Sequence, residues 1–155
     1  MKKPDQYRQP GIDFSAFSYG VKVSDLITQT QSKTSGSQAR TSTDILHEIN
    51  EIKGVNAVVV VGRDGFVIES VGHMPNSNLD VLGAAIASAI NGISEMGGEL
   101  KVGDFSDLFV TYKSAMIMCF PIGDAICGIA GEDGSALGMI RHKTHKLIPE
   151  LELYL

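Results

Sequence analysis

The stretch "LDVLGAAIASAINGISEMGGEL", Leu79 to Leu100, decides how the chain is read. Leu82, Ile86, Ala89, Ile93 and Met96 recur at helical spacing and form one apolar stripe, the kind of face a helix lays on a sheet. The opposite face carries Asp80, Ala84, Ala87, Ser88, Asn91 and Glu95. A solvated helix face is normally rich in Lys, Arg and Glu. This one is mostly small, with charge only at its ends. Together with Gly83 and Gly92, the small residues would let another backbone approach closely. An exposed face of this kind marks association, so a protein interface is expected there ahead of a ligand pocket.

Working outward, the flanking elements are regular. "TDILHEINEIK" places Ile45, Leu46, Ile49 and Ile52 on one helical face, with Thr43 or Asp44 as the expected N-cap. Gly54 follows where a helix C-terminal glycine belongs. "VNAVVVVG" reads as a buried strand, "RDG" (Arg63 to Gly65) as a hairpin turn, and "FVIESVG" as the returning strand. Ser77 or Asn78 is placed to cap the long helix. Three more strands follow, "DLFVTYK" from Asp107, "AMIMCFPI" from Ala115 and "AICGIAG" from Ala125. Their short connections, at Lys113-Ser114 and Gly123-Asp124, demand antiparallel neighbours. A last helix begins at Ser135, with Leu137, Ile140, Leu147 and Leu151 as its stripe. Pro149 is expected to end or kink it. The order predicts an α+β domain over residues 43–155: helix, two strands, helix, three strands, helix. Its five-stranded antiparallel sheet is expected in two layers, with the helices covering one side.

Residues 1–42 read as a flexible N-terminal extension. "TQTQSKTSGSQARTST" is too polar to offset its ordering entropy. The more apolar piece before it, with Phe14, Phe17, Tyr19, Val21 and Val23, leaves open a short docking segment.

Composition bounds the function. The 155 residues carry a net charge of −5, which gives no bulk attraction for nucleic acid or an anionic membrane. Trp is absent and aromatics are 6%, which disfavours base-stacking platforms. No apolar run approaches the about 20 residues of a membrane span, and no signal-peptide pattern follows the first lysines. Two cysteines are too few for a secreted disulfide scaffold. A cytoplasmic protein is the expectation.

No catalytic constellation stands out. His142 and His145 are three apart on the last helix, without the carboxylates or cysteines a metal site would add. They read as a solvated face, and no metal or cofactor is assigned. None of the glycines falls in a phosphate-loop spacing. "GEDGSALG" leads into a helix N-terminus, but Glu132 and Asp133 would repel phosphate, so it reads as a cap. Cys119 and Cys127 are expected to face each other if the last hairpin centres near Gly123, as two small buried thiols in a reducing compartment.

From about Thr43 to Leu155 the chain resembles the Roadblock (dynein light chain) family. The residues that carry this are "LHEINEIKGVNAVVVVGRDGFVIES", "LGAAIASAINGISEMGGEL" and "FPIGDAICGIAGEDGSALGMIR". The resemblance implies a domain that dimerises, with sheets joined edge to edge and long helices side by side. On that reading, the second face of Leu79–Leu100 meets its own copy. The resemblance further implies a platform on which small Ras-like GTPases bind, and some bacterial members act as their activating proteins. Others are scaffolds, so a signalling or structural module acting without a GTPase is the alternative. No catalytic site of the chain's own is implied. Arg63, the one arginine on a tight turn, is read as an exposed hairpin residue rather than a catalytic finger. The extension before Thr43 is not part of the family domain.

Overall fold

The structure, a computed structural model, describes residues 39–155. The expectations for the polar linker and for the Phe14–Val23 segment lie outside the described residues. The elements are α1 (Ser42–Asn50), β1 (Val55–Gly62), β2 (Val67–Gly72), α2 (Leu79–Leu100), β3 (Leu108–Thr111), β4 (Met116–Ile122), β5 (Ala125–Gly131) and α3 (Leu137–Leu153). A single 3-10 turn, Gly134–Ala136, leads into α3. This is the expected order. The strands form one antiparallel sheet in the order β2-β1-β5-β4-β3.

The helices do not share one side of it. Val58, Val60, Met118, Phe120 and Ile129 pack with Ile45 and Ile49 of α1 and Ile140 and Leu151 of α3. Ala57, Val59, Val61, Ile126 and Ala130 pack with Leu82, Ile86 and Ile90 of α2. The domain therefore has three layers, not the two expected. The reason lies in the central strands. Ala57 through Val61 are all fully buried, and successive side chains of a strand point to opposite faces. A strand buried at both parities needs cover on both sides. A run of four valines in β1 is the signal of that.

Local chemistry sets the ends. The first helix is capped at Thr41, ahead of the expected Thr43 or Asp44. Thr41 and Asp44 form a reciprocal capping box. The Thr41 backbone N–H and hydroxyl both donate to the Asp44 carboxylate and hold its pKa below the ordinary value. Asn78 caps α2 through Val81 N–H at 2.7 Å. Asp133 accepts from Ser135 N–H at 2.8 Å ahead of α3, as its capping role requires. The last helix runs through Pro149 to Leu153 instead of stopping. Pro149 is exposed, so its ring lies away from the core while Leu151, two residues on, is fully buried. Burial of one such leucine contributes about 1.5–3 kcal/mol. That is comparable with the roughly 3 kcal/mol a proline costs inside a helix.

Candidate functional site

The long helix presents three surfaces. Its buried residues are Leu82, Gly83, Ile86, Ala87, Ile90 and Gly97. Leu82 and Ile86 lie on the sheet as expected, and Ile93 is half-buried. Ala89 and Met96 do not; Ala89 is exposed and Met96 is 50% exposed. At 3.6 residues per turn, Leu82, Ile86 and Ile90 centre roughly 40° from the expected stripe, and buried Gly83 and Ala87 widen the covered face further in the same direction.

The turn follows from what Gly83 and Ala87 pack against. A methyl group on Gly65, in the β1–β2 turn, would lie 3.4 Å from Ala84 Cα and 3.6 Å from Ala87 Cβ. One on Gly83 would lie 2.8 Å from Val67 Cγ2 and 3.4 Å from Gly65 O. Small residues on this flank thus let the hairpin lie directly against the helix. Ala87, placed in the sequence on the partner face, is 4% exposed and belongs to this internal contact. An arginine there would strike the fold itself.

The other five residues of the expected face, Asp80, Ala84, Ser88, Asn91 and Glu95, are exposed. They form an outer ridge along α2. Its charged members are acidic. Beside its start, the hairpin turn carries exposed Arg63 and Asp64 and a Phe66 that is 75% exposed.

The third surface was not legible as such. Val81, Ala85, Ala89, Gly92 and Met96 run down the flank opposite the hairpin, and all are exposed. This flank borders a groove of about 340 Å³ between α2 and the far strands, lined also by Leu108, Val110, Ile117 and Tyr112. The floor arises because α2 lies over β1, β2 and β5. Leu108, Val110 and Ile117, on β3 and β4, are left half-buried. Leu100, the last residue of α2, is 63% exposed, and Val102 beyond it is 74% exposed. The signal that finds this flank is the i, i+4 repeat Val81-Ala85-Ala89, with Gly92 and Met96 beyond it.

β3 forms one edge of the sheet. It is tied to α3 by the Asp107 carboxylate, which accepts from Arg141 Nη2 at 2.9 Å and lies 3.4 Å from His145 Nε2. Arg141 stacks over the Phe109 ring at 5.3 Å, and His145 meets the Phe120 ring edge-on at 5.3 Å. His145 thus braces the edge strand rather than merely facing solvent; His142 is exposed. Among the described residues no group of His, Cys, Asp and Glu is arranged to hold a metal.

The two cysteines do not face each other. Cys119 pairs with Gly128 and Cys127 with Phe120, because the hairpin is centred between Gly123 and Asp124. That offset of one residue sends the thiols to opposite faces of the sheet. Both are free and buried, and burial pushes each thiol up to about 12.

The comparisons agree with this architecture. Two uncharacterised proteins of Methanocaldococcus jannaschii, MJ0310 and MJ1340, are each 26% identical over 98 residues, 63% of this chain and 84% of theirs. MglB of Myxococcus xanthus superposes with a TM-score of 0.65 at 16% identity, over 73% of this chain and 91% of its own. The gliding protein MglB of Thermus thermophilus gives 0.65 at 15% identity, over 73% and 87%. A Roadblock/LC7 domain of Streptomyces avermitilis gives 0.64 at 15%, over 71% and 93%. The Roadblock/LC7 domain family model matches residues 41–130, from the capping threonine of α1 to Ala130 in β5. The chain belongs to the Roadblock/LC7 domain family.

Proposed function

We propose that this protein is a cytoplasmic, dimeric regulator or scaffold of a small Ras-like GTPase. The observation that carries the reading is the apolar groove beside α2, bounded by Val81, Ala85 and Ala89 on the helix and by Leu108 and Val110 of β3, which is an edge strand among the described residues. A second copy related by a two-fold axis would fill that groove with its own α2 and pair its β3 edge, which removes both apolar surface and an open strand from water. Family membership supports the same arrangement. The groove is occupied by the copy, and the acidic outer ridge of Asp80, Ala84, Ser88, Asn91 and Glu95 remains free for the GTPase.

Any stimulation of GTP hydrolysis is assigned to repositioning the GTPase's own residues rather than to a donated group. No nucleic acid or membrane partner is assigned. Among the described residues no helix is long and apolar enough to cross a membrane.

The test is a pull-down from source lysate with the intact protein as bait, with GDP or GTPγS. Ala89→Arg, which would wedge a charge into the groove, is the comparison bait. Retention of a small GTPase by the wild-type bait, stronger with GTPγS and weaker on Ala89→Arg, is the expected result. No GTPase in either nucleotide state would favour the module that acts without one.

A further inference from the structure

The hairpin tip presents an aromatic side chain to water on a constrained backbone. Phe66 is 75% exposed. Its backbone carbonyl accepts from Gly62 N–H at 2.9 Å, and its N–H donates to Asp64 Oδ1 at 3.2 Å. Gly65 N–H closes the turn on Gly62 O at 3.0 Å, with Gly65 at φ +91°. The turn then rests on Ala84 and Ala87 of α2. The backbone under the ring is already ordered, so covering the ring costs only side-chain freedom, which favours its use as an interface anchor.

The second copy does not account for it. β2 and β3 are opposite edges of the sheet, so a copy seated in the groove beside β3 leaves the β1–β2 turn outside. The charge around Phe66 describes the partner that would cover it. On the turn exposed Arg63 balances Asp64, and the ridge adds Asp80 near its start and Glu95 near its far end, both exposed. A complementary surface has an apolar socket with a basic rim.

We propose that Phe66 is the apolar anchor of the partner-binding surface, inserting into a basic-rimmed socket on the protein that docks along the α2 ridge. This rests on the reading that the partner is a small Ras-like GTPase. Arg63 and Asp64 frame the anchor, and the ridge from Asp80 to Glu95 sets the direction of docking.

The experiment measures binding of the full chain to each purified Ras-like GTPase encoded in the same genome, loaded with GDP or GTPγS. Wild type is compared with Phe66→Ala, Phe66→Leu and the double variant Asp80→Lys/Glu95→Lys. Sedimentation and thermal unfolding check that each variant is folded and keeps the wild-type mass. Phe66→Ala is expected to weaken binding about tenfold or more, Phe66→Leu less, and the charge reversals several-fold, with the wild-type affinity falling as salt rises. Wild-type binding that Phe66→Ala changes by less than twofold would overturn the anchor and leave the GTPase reading standing. A wild-type chain that binds none of the GTPases in either state would overturn both.

Discussion

Ile86 of α2 lies directly over the bare backbone of Gly128 in β5. A methyl group on Gly128 would come 2.3 Å from Ile86 Cδ1 and 3.1 Å from Val59 Cγ2. The missing side chain at Gly128 gives the Ile86 δ-methyl room to pack down onto the sheet. Gly128→Ala should overpack the layer and cost about 1–3 kcal/mol. Urea unfolding would show it as a lower midpoint at constant slope. An unchanged midpoint would mean that the Ile86 δ-methyl swings aside at little cost and that Gly128 is not needed for the close packing of this layer.

The cysteines give a prediction in pH. Each thiol has its folded value pushed from about 9 to about 12 by burial, with Cys119 adding to the effect at Cys127. A raised folded value means stability that is fully present below pH 9 and lost as pH climbs toward 12, because only the unfolded chain releases the proton in that window. Wild type should lose more stability between those values than a Cys119→Ala/Cys127→Ala variant. A thiol reagent at pH 8 should leave the native protein unlabelled and label two thiols in denaturant. Rapid native labelling, or a disulfide between the two, would contradict their placement on opposite faces.

The brace on β3 is open to a double-mutant cycle. Asp107 is 13% exposed and Arg141 51% exposed, so the pair is only partly screened by water. Asp107→Ala should lower stability by about 1 kcal/mol, and its coupling to Arg141→Ala should be on the order of 0.5 kcal/mol. Zero coupling would reduce the pair to two independent surface charges.

Most of the fold was legible in the sequence. Alternation and turn residues mark the strands, and Ile45-Leu46-Ile49-Ile52 marks the face of α1. The layer count was misread although Val58 to Val61 held the evidence, since a strand with no polar parity has no solvent side. The face of α2 was misread for a subtler reason. Gly83, Ala87 and Ala89 are alike in composition, and periodicity cannot separate a small residue packed under a hairpin from one exposed beside a groove. Only the position of Gly65 separates them. The cysteine register turned on whether the β4–β5 turn centres on Gly123 or between Gly123 and Asp124, a difference that residue types alone do not resolve.

Two adjacent positions on α2 separate the groove from the ridge. Ala89 borders the groove and Ser88 lies on the ridge. The decisive measurement is sedimentation equilibrium of the full chain at low micromolar concentration, for wild type, Ala89→Arg and Ser88→Arg. Wild type and Ser88→Arg are expected to be dimers and Ala89→Arg a monomer. A monomeric wild type, or a dimer that survives Ala89→Arg and is lost with Ser88→Arg, would contradict a dimer seated in the groove.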